Sequence, residues 1–161
     1  MKHFILPMNL SIRKAAPRDF SKISKLNVLT RRPQRSDRRF HEYFVAEIAD
    51  DLVGCAALRC RQDSGYLYGL TVHPSWRRHG IGHLLTNRRL EEIQAKGIQT
   101  ALVFAMFWNV KFFKRHGFLL TEKTRASEFR WLHKDFEDAW CRRSALLALS
   151  LGALRPQPST A

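Results

Sequence analysis

Little in this chain points to a membrane, a disulfide framework or a metal centre. No apolar run among its 161 residues approaches the ~20 needed to cross a bilayer. The opening Met1-Lys2-His3-Phe4-Ile5-Leu6-Pro7 holds too short an apolar stretch for a signal peptide. Cys55, Cys60 and Cys141 are an odd number without paired-ligand spacing, which fits a reducing, cytoplasmic setting better than a disulfide framework. Cys55 and Cys60 fall on one strand and are expected to pack as small apolar residues. His73, His79 and His83 have no carboxylate or cysteine to complete a ligand set, so no metal is expected. Acidic residues are scarce, 14 against 28 lysines and arginines, for a net charge of +14. That excess attracts polyanions of every kind (nucleic acid, anionic membrane, phosphorylated or carboxylated small molecules) and selects none of them.

What is present suits one globular domain. Hydrophobic residues make up 45% and charged residues 26%, enough to build a core without metals or disulfides. Residues 1–9 read as an N-terminal extension, 10–151 as the domain and 152–161 as a frayed tail. Neither internal repeats nor linkers interrupt it. The densest basic cluster, Arg31, Arg32, Arg35, Arg38 and Arg39, surrounds Pro33 in a stretch without apolar periodicity. It has no aromatic residue on which bases could stack, which weakens a single-strand nucleic-acid reading; a solvated basic surface is the plain alternative.

Leu10 to Ala15 alternates like a strand, and Pro17-Arg18-Asp19 opens a helix carrying Phe20, Ile23, Leu26 and Leu29. Tyr43 to Ile48 reads as a buried strand, Asp50-Asp51 as a short turn, and Leu52 to Leu58 as the hairpin partner. Gln62 to Gly65 turns the chain into the strand Tyr66 to Val72. A helix is predicted over Ile81 to Lys96, with Ile81, Leu85, Leu90 and Ile93 inward, Arg88 and Arg89 interrupting the stripe, and Gly97 as its stop. Thr100 to Ala105 reads as a central strand, and Asn109 as the cap of a short helix through His116. A strand from near Phe118, a helix through Asp135 to Trp140 and an apolar run Ala145 to Leu151 complete an α/β domain with a mixed sheet.

The richest segment runs from Leu70 to Leu85: Leu-Thr-Val-His-Pro-Ser-Trp-Arg-Arg-His-Gly-Ile-Gly-His-Leu-Leu. A strand stops at a proline, a basic and glycine-containing loop follows, and a helix begins. Such a joint cradles phosphate, because the N–H groups of the loop and first helical turn are unpaired and the helix dipole favours negative charge. There is no Gly-Lys-Ser/Thr of a P-loop and no third glycine of a dinucleotide fingerprint. An ordinary strand–turn–helix joint is the bland alternative.

Arg77-x-x-Gly80-x-Gly82 resembles the Gln/Arg-x-x-Gly-x-Gly/Ala signature of the GNAT superfamily of acetyl-CoA-dependent N-acyltransferases. Phe112-Phe113-Lys114-Arg115-His116-Gly117-Phe118 resembles that family's second signature, and Val45 to Leu58, with Gly54, resembles its second and third strands. The Val-Gly-Cys-Ala-Ala-Leu wording and the Phe-Phe pair are similar to short acetyltransferases related to the catalytic domain of N-acetylglutamate synthase. Thr124 to Ser144 gives no clean match. The resemblance implies a mixed, mostly antiparallel twisted sheet flanked by helices, with a splay between the strands ending at Val72 and near Ala105. Acetyl-CoA would lie there as co-substrate. Main-chain groups of Leu70, Thr71 and Val72 would align the pantetheine arm, and an N–H near Val72 would polarise the acetyl oxygen. The loop Arg77, Arg78, His79, Gly80, Ile81 and Gly82 would hold the diphosphate through its backbone, with Asn109 and Phe113 near the pantetheine.

Two departures bear on catalysis. Where many relatives carry a thiolate-protonating tyrosine, this chain has Phe113, which cannot donate. Where many carry a glutamate base, the aligned residue is Tyr66. Strict alternation would set Tyr66, Tyr68 and Leu70 on one face. Either tyrosine could relay a proton through water, or both could be packing residues; positioning with water as proton carrier is physically sufficient. The expected function is acetyl transfer to a primary amine of a small acceptor. In this fold the region after the first helix borders the acceptor cleft, so the Arg31–Arg39 cluster points to a carboxylate-bearing one. The alternatives are acetylation of a protein or peptide amine, and a non-catalytic, basic, nucleic-acid-associated module that binds CoA. A monomer or homodimer is expected.

Overall fold

The computed structural model describes residues 9–30, 42–61, 63–122 and 143–152. Its elements are β1 (Leu10–Lys14), α1 (Phe20–Leu29), β2 (Tyr43–Ile48), β3 (Asp51–Arg61), β4 (Ser64–Val72), α2 (Ile81–Ala95), β5 (Thr100–Ala105), α3 (Phe107–Lys114), β6 (Leu119–Leu120) and β7 (Ala145–Ser150). The arginine cluster 31–39, the turn residue Gln62, the helix expected over 135–140, Cys141 and most of both terminal extensions lie outside the described residues. Contacts divide the chain into a unit of Met1–Arg59 with Leu67–Glu92 and a unit of Cys60–Tyr66 with Ile93–Ala161.

In the first unit the strands follow the order β1-β2-β3-β4, with β1–β2 and β2–β3 antiparallel. Pro17 starts a single 3-10 turn that continues into α1. Asp19 at the junction accepts the Ala16 N–H at 2.7 Å and two bonds from the Arg13 guanidinium at 2.6 and 3.0 Å. Arg13 also donates to both carboxylate oxygens of Glu47 at 2.7 and 3.0 Å, so one fork ties β1, the helix start and β2. These hydrogen bonds, the Arg13 ones first, hold the buried Asp19 carboxyl at a pKa of about 2.

Ile23 and Leu26 pack with Val45 and Cys55, giving Cys55 the apolar role its sequence suggests. The rest of the expected α1 stripe does not follow: Phe20 is 39% exposed and Leu29 55%. At about 100° per residue, positions repeated every three residues drift backward, so Phe20 and Leu29 emerge half a turn apart.

The β2–β3 turn is Ala49-Asp50, one residue earlier than expected, flanked by the pair Ile48↔Asp51. Both turn residues have positive φ (47° and 67°), the conformation that matches hairpin twist, and Asp51 is already in the ladder. Further along, Ala46 pairs with Gly54 but Glu47 with Leu52, so Val53 is an extra residue; its carbonyl accepts the His73 N–H at 2.8 Å, pinning the exit of β4. Gly54 lets α2 lie directly on β3, since a Cβ there would stand 3.1 Å from Ile81 Cγ2 and 3.2 Å from Leu85 Cδ1.

In the second unit the order is β5-β7-β6, with β7 antiparallel to both neighbours. Phe113 on α3 meets Phe118 edge-on at 5.7 Å, and Gly117 (φ 89°) lets the Phe118 N–H return to the Phe113 carbonyl at 3.2 Å. The N-cap of α3 is Met106, not Asn109, which lies inside the first turn. β5 ends at Ala105 and the chain turns at once through Met106's extended backbone, so the helix starts at Phe107 without a side-chain cap.

Candidate functional site

The joint between β4 and α2 has the form read from the sequence. After Val72 the chain makes a 3-10 turn, Pro74–Trp76, with His73 as its cap accepting the Ser75 N–H through Nδ1. Arg78 (φ 66°) and Gly80 (φ 83°) adopt left-handed backbone two residues apart, a spacing compatible with an anion-binding nest. The first α2 bond runs from the Leu84 N–H to the Gly80 carbonyl, so the N–H groups of Ile81 and Gly82 precede any intrahelical acceptor.

Side chains hold this loop in place. Arg77 Nε donates to the Val72 carbonyl at 3.2 Å, strapping the loop to the end of β4. His79 Nδ1 bonds the Arg77 carbonyl at 2.9 Å, and its ring meets Trp76 edge-on. Arg78 is exposed, and no acidic residue occurs between Ser64 and Leu90. Alternating left-handed backbone, a free helix start and uncompensated positive charge form a donor set that fits a diphosphate. His73, His79 and His83 each bond a local group, His83 to Asn87, and no three His, Cys, Asp or Glu side chains converge among the described residues.

β4 departs from strict alternation. Gly69 has φ 61°, left-handed backbone in mid-strand, outside the regular geometry that strict alternation from Tyr66 and Tyr68 to Leu70 assumes. Thr71 is buried and its hydroxyl donates to Asn27 Oδ1 of α1 at 3.2 Å, which leaves its main chain as the part that can meet a ligand.

The two tyrosines have different surroundings. Tyr66 is buried in the second unit, edge-on to Phe104 at 6.0 Å. Tyr68 donates its hydroxyl to Glu42 Oε2, and Arg59 Nε reaches both Glu42 oxygens at 3.2 Å with its guanidinium over the Tyr68 ring. Burial first, and the Glu42 carboxylate second, push the Tyr68 phenol well above the ordinary tyrosine range, so it stays protonated at neutral pH. Asn109 and Phe113 belong to the second unit, and Phe113 is a buried packing residue there.

Sequence reasoning passed over Glu42, Arg59, Thr86 and the role of Arg89. The two arginines that interrupt the α2 stripe separate in the structure. Arg88 lies over the Phe44 ring and pairs with Glu92 at 3.6 Å, whereas Arg89 is fully buried. Desolvation pulls the Arg89 guanidinium down to about 9. Among the described residues its acceptors are uncharged: the Leu85, Ala57 and Tyr68 carbonyls and the Thr86 hydroxyl, at 3.1 to 3.3 Å. Thr86 in turn donates to the Gly82 carbonyl at 2.8 Å.

Comparison with known proteins bears on the family and the fold. The family model described as "Acetyltransferase (GNAT) domain" matches residues 39–119. An amino-acid acetyltransferase of Mycobacterium tuberculosis is 38% identical over 87 residues, 52% of this chain and 49% of that protein. The structure of N-acetylglutamate synthase from Neisseria gonorrhoeae, complexed with coenzyme A and N-acetyl-glutamate, matches with a TM-score of 0.77 at 26% identity, over 88% of this chain and 35% of that one. A Mycobacterium tuberculosis protein in complex with CoA shares the fold at a TM-score of 0.73 and 23% identity, over 88% of this chain and 99% of that one. The chain thus spans about half of the curated relative and about a third of the synthase.

Proposed function

Because this chain belongs to the GNAT acetyltransferase family, whose members use acetyl-CoA as co-substrate, we propose that it transfers an acetyl group to the primary amine of a small, carboxylate-bearing acceptor. The observation that carries the reading is the β4–α2 joint, where left-handed Arg78 and Gly80 precede the free N–H groups of the α2 start in an acid-free, basic segment. The similarity to an amino-acid acetyltransferase supports an amino-acid acceptor. A folded CoA-binding module without turnover is the competing reading, favoured by Phe113 and Tyr66 at positions where many relatives carry acid–base groups.

In this reading the chain contributes position and polarisation. The loop from Arg77 to Gly82 grips the diphosphate, and the main chain of Leu70 to Val72 aligns the pantetheine arm. The N–H near Val72 donates to the acetyl oxygen as negative charge grows on it. The free amine attacks the carbonyl carbon, the carbon–sulfur bond breaks, and the amine's surplus proton leaves to water. The thiolate takes a proton from solvent, because Phe113 has none to give and Tyr68 keeps its own with Glu42. Orientation of two bound substrates is sufficient for a thioester.

Calorimetry with acetyl-CoA, followed by free-thiol release across amino acids, polyamines, aminoglycosides and basic peptides, tests the proposal. Saturable donor binding and preferred turnover of an acidic amino acid are expected. Gly82→Trp should abolish binding by filling the diphosphate space at the helix start. Absence of binding by the parent chain would refute the donor assignment, and preference for polycationic amines would refute the acceptor class. Binding without turnover on any amine would favour the module.

A further inference from the structure

We propose that Arg89 is a positioning residue for the acyl donor, locking the β4 break and the first turn of α2 into one buried hydrogen-bonded frame. The inference rests on the donor reading above. Arg89 occupies the inward stripe of α2 between the buried apolar Leu85 and Ile93. Burying a guanidinium there with no carboxylate among its hydrogen-bond acceptors is costly, so its donors must serve a purpose that packing cannot.

Their destinations identify that purpose. One Nη1 reaches the Tyr68 carbonyl, immediately before the left-handed Gly69, and the Ala57 carbonyl on β3, at 3.3 and 3.1 Å. The arginine fork thus gives both carbonyls a donor from α2, one beside the left-handed Gly69 and one on the neighbouring strand. Nη2 reaches Thr86 Oγ1 at 3.2 Å, and that hydroxyl holds the Gly82 carbonyl at 2.8 Å in the phosphate-binding turn. A continuous chain therefore runs from Gly82 through Thr86 and Arg89 to Tyr68.

The two ends of that chain serve opposite halves of the donor. Gly82 belongs to the loop that meets the diphosphate, and Tyr68 precedes the main chain that meets the pantetheine arm. Arg89 fixes the spacing between the halves, so its loss penalises a ligand spanning both more than a ligand touching one. A residue needed only for stability would not discriminate between such ligands.

The experiment compares the parent, Arg89→Met, Arg89→Lys and Thr86→Val by calorimetry with acetyl-CoA and with adenosine 3′-phosphate 5′-diphosphate, which keeps the diphosphate and lacks the pantetheine arm, and by thiol release at saturating acetyl-CoA. For Arg89→Met the expected result is acetyl-CoA affinity weaker by about tenfold or more, fragment affinity within about twofold, and kcat lower by about tenfold. Arg89→Lys, with the charge but not the fork, should fall between parent and Met. Thr86→Val, nearly isosteric, should weaken acetyl-CoA by about threefold or more, and with Arg89→Lys it decides the matter if Arg89→Met does not fold. Equal losses for both ligands, or folded variants that match the parent, would overturn the proposal. Failure of the parent itself to bind acetyl-CoA would remove the donor reading and this inference together; normal parent binding with unaffected variants would remove only this inference.

Discussion

Replacing Tyr68 by phenylalanine separates a structural hydroxyl from a catalytic one. The Tyr68 O–H donates to Glu42, and no step proposed above needs that proton. A hydrogen bond to a charged acceptor contributes about 1.5–3 kcal/mol, and the hydroxyl's removal leaves one Glu42 oxygen short of a donor. Arg59 still reaches both Glu42 oxygens at 3.2 Å, so the loss should lie at the lower end, about 1.5–2 kcal/mol. For a domain of this size about 1 kcal/mol shifts Tm by roughly 2–4 °C, which gives an expected fall of roughly 3–8 °C. Turnover should stay within about tenfold of the parent, because a phenol held protonated and committed to Glu42 is not the base. Thermal unfolding without ligand measures the first quantity, and free-thiol release at saturating acetyl-CoA the second. A kcat loss of a hundredfold or so with unchanged donor affinity would refute the reasoning and name Tyr68 as the proton carrier. An unchanged Tm would show that the Glu42 bond contributes nothing in solution. Tyr66→Phe serves as the companion, with turnover again expected within about tenfold.

Two further outcomes follow from packing and charge. The Asp19 pKa is lowered from 3.8 to about 2, so its stabilisation is complete above the ordinary carboxylate range and is lost as pH falls through about 2. Asp19→Asn should lower Tm at neutral pH, and the gap to the parent should close on acidification between about pH 4 and 2; a gap independent of pH would contradict the Arg13 pairing. Gly54→Val should cost about 1–3 kcal/mol by denaturant unfolding, because its methyls would enter space held by Ile81 and Leu85 at 3.1 and 3.2 Å from a Cβ. It should also weaken acetyl-CoA by displacing the start of α2, and unchanged affinity would separate that seat from ligand binding.

The sequence reveals much of this fold because its strongest signals are local. The strands over Tyr43 to Ile48 and Thr100 to Ala105 match the observed β2 and β5 end to end, since each is an apolar run bounded by turn residues. The loop from Arg77 to Gly82 is equally readable, because a proline, two glycines and a helical pattern in that order admit few backbones. What escaped was decided by non-local partners. Gly69 looks like any strand glycine until its left-handed φ interrupts the alternation that would align Tyr68 with Leu70. Glu42 stands next to an arginine-rich segment and reads as a solvated charge; its commitment to Arg59 and Tyr68 needs β3 and β4 beside it. Arg89 gave the clearest warning, a charge in an apolar stripe, but periodicity cannot tell an interruption from a buried fork. Asn109 had the right residue type for a cap and the wrong place, because Met106 already turns the chain.

Trp76 stands against His79 of the loop assigned to the diphosphate, ring centroids 5.6 Å apart. Indole emission depends on the charge and polarity beside the ring, so Trp76 is a built-in optical reporter of that loop. An anion settling among the loop N–H groups changes the local field and shifts Trp76 emission, with no label attached. Excited-state lifetimes recorded while ligand is mixed in would resolve arrival at the loop in time, independently of whether any acetyl group is ever transferred.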